Sequence, residues 1–330
     1  MTRSVEVLRS VLAGRVRREG GGFPVIAFGA MILVFLVAPL FIYPIFLMNV
    51  LCFAIFACAF NLLIGYAGLL SFGHAAFLGT AGYITGHAAK VWGLPPELAI
   101  LSGTFAAALL GLLFGLLTIR RQGIYFAMIT LALAQMVYFF CLQAPFTGGE
   151  DGIQAIPRGR MFGVLDLRNM MTLYFVVLAI FLAAFLLIYR IIHSPFGEVL
   201  KAIRENERRA ISLGYKPDQY KLVVFVLSAA LSGLAGGTKA IVFQLATLTD
   251  VHWSMSGEVV LMTLLGGLGT VFGPVVGALV IVALQNYLAP IGAWVTVVQG
   301  VIFVACVLMF RRGIVGEIIA ALKSRSARLK

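Results

Sequence analysis

The residues in this chain that chemistry could use are few and scattered. Four cysteines, Cys52, Cys58, Cys141 and Cys306, all lie inside apolar runs with no paired spacing. They read as small core hydrophobes, with no disulfide framework and no metal site. The stretch GLAGGTKA (233–240) has the glycines and lysine of a phosphate loop, but it lacks the G-x-x-x-x-G-K-[ST] order and falls in an apolar run. Its Lys239 looks like an intramembrane charge. It stands 18 residues past Lys221, roughly 27 Å along a helix, which places it where it can snorkel to the far headgroups. Asp250 and Glu258 likewise fall at the outer ends of apolar runs. His74 can contact a solute carboxylate or carry a proton, although a lone membrane histidine more often bonds a neighbouring helix. No zinc pair, nucleophile triad or carboxylate dyad falls in a polar loop, so a catalytic site is not expected.

Two glycine clusters offer a different chemistry, that of exposed backbone. Gly65, Gly68, Gly73, Gly79 and Gly82, with Ser71, break one apolar run; Gly266, Gly267, Gly269, Gly273 and Gly277, with Pro274, break another. Small residues let backbones approach closely, and an interrupted span can present carbonyls or helix ends to a solute. Both clusters contain Phe-Gly, at 72–73 and 272–273, which hints at paired elements of two half-repeats. Gly65, Gly68, Ser71, Gly73, His74, Gly267, Gly269 and Gly273 are therefore candidates for a substrate pathway or gate, with tight helix packing as the competing reading.

The elements that must position these residues are membrane helices. Hydrophobic residues make up 61% of the 330 and charged residues only 12%, against about 45–50% and 25% in soluble domains. Ten candidate spans follow, at 24–42, 45–64, 69–88, 97–118, 124–143, 170–190, 222–246, 257–270, 274–289 and 292–310. The third, eighth and ninth are short or glycine-broken against the ~20 residues a crossing needs. The fold class is all-α polytopic, with about ten transmembrane helices (8–10) in a membrane domain at 24–310 and tails at 1–23 and 311–330. With both tails cytoplasmic, 20 basic residues fall inside and five outside, a strong positive-inside bias. The net charge of +12 thus reports topology and gives no reason to expect a nucleic-acid surface. The Arg-rich N-terminal stretch reads as a retained tail rather than a transit peptide. The outer loop APFTGGEDGIQAIPRGRMFGVLDLRN suits either an ordered cap or a plain connector.

One cytoplasmic loop gathers ten of the chain's 38 charged residues between Gly197 and Lys221. Ser194 is a good N-cap, Pro195 suits the first helical position, and Gly214 and Pro217 end the run. Val199, Ile203, Asn206, Ala210 and Leu213 share one face of an amphipathic helix of about five turns, and Glu205 sits four before Arg209. A solvated connector, an interfacial helix and a docking helix all remain open. The mixed signs fit a protein partner better than anionic lipid.

The segment GEVLKAIRENERRAISLGYKPDQYKLVVFVLSAALSGLAGG resembles the cytoplasmic signature of branched-chain amino-acid ABC importer permeases of the LivM type. NLLIGYAGLLSFGHAAFLGTAGY (61–83), TGGEDGI (147–153), GGLGTVFGPVVGA (266–278) and FRRGIVG (310–316) are similar to that family's motifs, in its order. The resemblance implies an ABC importer permease fold and makes 195–214 the coupling helix that docks on an ATPase subunit. The matching positions are Ala202, Arg204, Glu205, Asn206, Glu207, Ala210 and Gly214. Arg209 departs from the family pattern, which has a second alanine there.

The resemblance also implies partners: a second related permease, two ABC ATPase subunits holding ATP and magnesium, and a periplasmic solute-binding protein. The chain itself would hold no cofactor and would sit in a bacterial inner membrane. Branched-chain amino acids are the expected solutes, with amides and urea carried by relatives. The competing class is an ATPase-independent channel or ion-coupled carrier. That class should show mid-membrane acidic residues, and none of the thirteen lies mid-span in this topology.

Overall fold

A computed structural model describes residues 23–163, 165–292, 294–309 and 313–317. The tails expected at 1–23 and 311–330 lie outside these residues, apart from Phe23 and 313–317. The chain divides into two units, residues 1–43 and 44–330. The first holds α1 (Phe23–Val37) and a 3-10 turn at Ala38–Leu40.

The second unit begins with α2 (Pro44–Asn61), which passes directly into a π-turn at Leu62–Ala67. Then come α3 (His74–Lys90), α4 (Pro96–Thr118), α5 (Ile124–Gln143) and α6 (Met170–Ile192). Two short polar helices follow, α7 (Pro195–Glu205) and α8 (Glu207–Ser212). The chain returns through α9 (Pro217–Phe243), α10 (Trp253–Gly266), α11 (Gly273–Leu288) and α12 (Trp294–Met309). Each candidate span carries a helix within a few residues, and the protein is an all-α polytopic membrane protein. Five helical segments, 44–67 and α4, α5, α6 and α9, are long and apolar enough to cross a hydrocarbon core unaided. At 14 and 16 residues, α10 and α11 are shorter and pack on each other as a hairpin.

Helix α2 is buried along almost its whole length among α6, α9, α10 and α11. A second group, α3, α4 and α9, is held by a seam of small residues. Gly103, Ala107, Gly111 and Gly115 recur every fourth residue along α4. A Cβ on Gly111 would strike the Ala229 methyl, and one on Gly233 would strike the Ala107 methyl. Lipid tails are as apolar as leucine, so close van der Waals contact along such a seam holds the helices together. The tightest crossing is backbone on backbone: a Cβ on Gly236 of α9 would fall on the Leu78 carbonyl of α3. Gly236→Ala should therefore destabilise the protein by about 2 kcal/mol or more, since overpacking costs ~1–3 kcal/mol and the obstacle is a carbonyl that has no rotamer. Thermal unfolding in detergent checks this.

GLAGGTKA lies within α9, where its glycines serve packing. The loop between α5 and α6 is an ordered cap. Its strand β1 (Ile153–Gln154) pairs antiparallel with β4 (Leu245–Ala246), just past α9, and β2 (Arg160–Met161) pairs with β3 (Leu165–Asp166). Arg158 Nη2 donates to the Val242 carbonyl at 2.7 Å, and burial draws its pKa below the usual arginine value. Gly152 has φ +67°, and a Cβ there would meet the Ala246 carbonyl.

Candidate coupling site at the glycine breaks

Ser194 caps α7 by accepting from the Gly197 N–H at 3.3 Å, and Pro195 occupies the first turn. Gly197 is required sterically, because a Cβ would run into the carbonyls of Ile191 and Ile192. The five-turn helix expected from the sequence is in fact two helices. Asn206 is extended (φ −156°, ψ 96°), and its Oδ1 accepts from the Arg209 N–H at 3.0 Å to cap α8. Asparagine competes for backbone donors in this way and favours caps over helix interiors.

The break re-aims everything after it. Leu200, Ile203 and Ala210 are buried, whereas Leu213 is 68% exposed and Asn206 faces solvent. The expected stripe therefore stands corrected at Asn206 and Leu213, and it omitted Leu200. The intrahelical ion pair is Glu198–Lys201 at 2.8 Å; Glu205 and Arg209 sit on different helices.

The family-matched positions differ in exposure. Ala202, Arg204, Glu205, Asn206 and Gly214 are exposed, and Gly214 (φ +88°) ends the segment in the left-handed region. Ala210 is buried, and two charged side chains reach inward from the surface. Arg204 Nη1 donates to the Gly65 carbonyl in the π-turn. Glu207 Oε1 is 2.6 Å from Lys221 Nζ, and its Oε2 accepts from Gln122 Nε2 at 2.7 Å. One carboxylate thus joins α8 to the first turn of α9 and to the α4–α5 turn. Lys221 is only 3% exposed, so Glu207 neutralises a buried cation.

The two glycine clusters meet beside this anchor. Asn61 spans the gap: its Nδ2 donates to the Thr270 carbonyl at 2.9 Å and its Oδ1 accepts from the Gly269 N–H at 3.0 Å. Tyr66 Oη donates to the Gly269 carbonyl at 2.9 Å. A Cβ on Gly65 would strike Asn61 Oδ1 and lie 2.9 Å from the Gly269 nitrogen. Gly68 (φ +73°) packs its backbone against the Arg204 side chain. Two clefts of about 500 and 420 Å³ flank the contact, one reaching Gly68, Gln122 and Lys221, the other Gly65, Lys201 and Gly269. π-turns concentrate at functional sites, and this one places the Gly65 carbonyl under an arginine.

Ser71, Gly73 and His74 lie apart from that contact, at the start of α3. Ser71 Oγ accepts from the Gly73 N–H at 3.1 Å, Thr130 Oγ1 from the Phe72 N–H at 3.1 Å, and Ser256 Oγ from the Ala75 N–H at 2.9 Å. Three hydroxyls thus satisfy donors that a helix start leaves open. His74 is fully buried, with Nε2 2.8 Å from Ser228 Oγ and its ring edge-on to Phe60. Gly267 (φ +120°) and Gly273 bound the other break, where Thr270 Oγ1 accepts from the Gly273 N–H at 3.1 Å. Both Phe-Gly pairs therefore stand at a helix start, each closed by a hydroxyl onto its glycine N–H.

The fold is that of a polytopic membrane protein, and the chain belongs to the family described as branched-chain amino acid transport system / permease component, matched over residues 24–307. It is 25% identical over 301 residues to the high-affinity branched-chain amino acid transport system permease protein LivM of Salmonella typhimurium strain LT2, covering 84% of this chain and 71% of that protein. The LivM of Escherichia coli K12 is 25% identical over 285 residues, covering 79% and 67%. The ribose import permease protein RbsC of Bacillus subtilis 168 is 29% identical over 238 residues, covering 67% and 70%. No solved structure matches the chain.

Proposed function

We propose that this chain is the membrane permease of an ATP-powered importer of the bacterial inner membrane, with both tails cytoplasmic. It works by alternating access, paired with a second related permease and served by a periplasmic solute-binding protein. Two ATPase subunits, which bind the ATP and magnesium, dock on the 195–214 segment. The observation that carries this reading is the two-sided character of α7 and α8. Their outer surface leaves Ile211 and Leu213 exposed at 55% and 68% beside charges of both signs. Their inner surface is tied to Gly65, Lys221 and Gln122. A segment so built transmits a push on its outside to the glycine breaks inside. An ion-coupled carrier has no use for such a segment.

Branched-chain amino acids are the favoured solutes, because two of the relatives are named for them. The ribose permease among the relatives makes a direct comparison necessary. Proteoliposomes holding the assembled transporter and its binding protein should take up leucine and not ribose, and the chain reconstituted alone should take up neither. The docking face is tested by Leu213→Glu, which places a charge in an apolar contact. Co-purified ATPase should fall at least about tenfold, as expected for an interface hot spot. Undiminished co-purification together with undiminished solute-stimulated ATPase activity would sink the assignment.

A further inference from the structure

At the end of α9 remote from α7, a cleft of about 390 Å³ opens among α2, α9, α10 and α11, within the size range of small-ligand sites. Its walls are unusual for the end of a bundle this apolar. Lys239 Nζ is 2.5 Å from Asp250 Oδ1 and stands 4.9 Å above the Phe53 ring. The two side chains of that pair are only 18% and 15% exposed. Glu258, also in the cleft, accepts from Gln285 Nε2 at 2.9 Å. Phe243 and Met255 supply apolar surface between the charges.

The pair could serve only to pin the Leu248–Asp250 turn onto α9. That role accounts for Lys239 and Asp250 but not for the rest of the wall. Among the described residues Glu258 has an amide partner and no cation within ion-pair distance. The cleft thus holds one cation and two carboxylates around an apolar floor. A solute completes this set if it brings an ammonium for Glu258, a carboxylate for Lys239 and an aliphatic side chain for Phe243 and Met255. We infer that this cleft is a recognition site for zwitterionic α-amino acids with aliphatic side chains, at the mouth where solute enters. The inference rests on the transport reading above, deepening it from a solute class to the residues that receive it.

Two measurements on the complete transporter test it, with radiolabelled leucine as the probe. In proteoliposomes supplied with the binding protein, Glu258→Gln should lower leucine imported per ATP hydrolysed by at least about tenfold, as truncating one partner of a buried charge contact does. Separately, Thr249→Cys places a thiol on the exposed rim for a charged thiosulfonate. Leucine at about four times its dissociation constant should slow that reaction about fivefold. 3-Methylbutylamine and 4-methyl-2-oxopentanoate each lack one charge and should give no protection. Unchanged import per ATP in Glu258→Gln, absent protection by leucine, or equal protection by either analogue overturns the site. Wild-type leucine import without protection removes the cleft alone. A wild-type transporter that hydrolyses ATP and imports no leucine removes the substrate reading and the cleft together.

Discussion

A Glu207→Gln variant will unfold at a lower temperature than the native chain, and Lys221→Met added to it will recover most of the loss. The carboxylate lies 2.6 Å from an ammonium that is 3% exposed. Removing the carboxylate leaves the lysine, 3% exposed, with no counter-ion, at a cost of about 3 kcal/mol. Glutamine keeps the shape, but it has one acceptor oxygen where the carboxylate uses two, so keeping the bond from Gln122 turns an NH2 toward Lys221, and the loss combines the charge with that acceptor. Methionine at 221 removes the stranded cation and keeps the unbranched stem, so the second change relieves the first. Thermal unfolding of the four members of the cycle measures the coupling. Additive effects of the two substitutions would mean that the lysine is solvated independently of Glu207. Glu207 lies in the segment proposed for docking, yet the contacts of its carboxylate are internal. Its loss therefore weakens the seat of α8 and does not report on docking alone.

The second large effect is expected at Gly65. An alanine methyl there would meet Asn61 Oδ1 and sit 2.9 Å from the Gly269 nitrogen. To admit it, the π-turn and the 267–270 loop must part, costing ~1–3 kcal/mol in overpacking and breaking the Asn61 bonds to Gly269 and Thr270, each worth about 1 kcal/mol. The carbonyl that holds Arg204 moves with the turn. Gly65→Ala should therefore cut solute import at least about tenfold (about 1.4 kcal/mol in effective terms) while ATPase subunits still co-purify, because the exposed face of α7 and α8 is untouched. Gly257→Ala is the control: no atom lies within 4 Å of its Cβ position, and an unobstructed site of this kind changes stability by no more than about 0.5 kcal/mol. Equal import by the two variants would show that the glycine contact is not part of the transport path.

The helices were legible because lipid imposes a simple rule. A run long and apolar enough to span, punctuated by Gly, Pro or charge, has to satisfy its own backbone. The caps at Ser194 and Gly214 were legible for the same local reason, since one residue type suits one backbone position. The break at Asn206 was not. Helical spacing continues on both sides of it, and only the competition of its side chain for the Arg209 N–H ends the ladder. The Glu207–Lys221 pair was hidden because its partners lie 14 residues apart on two helices, and Asn61–Gly269 because they lie 208 apart. Both glycine breaks stand out in the sequence as candidate gates, but nothing in it tells which glycine touches which. The seam of α4 does carry a signal, a small residue at every fourth position from 103 to 115.

That seam has a consequence for genetics. Leu101, Phe105, Leu112 and Leu116 on the other flank of α4 are 37–66% exposed and need only remain oily. Gly103, Ala107, Gly111 and Gly115 admit no added bulk. A library of random α4 variants, selected for growth on an imported nutrient and then sequenced, would show substitutions rising and falling with a four-residue beat. The troughs would trace the buried edge of the helix, so survivor counts alone would recover which side of α4 meets α3 and α9 and which meets lipid.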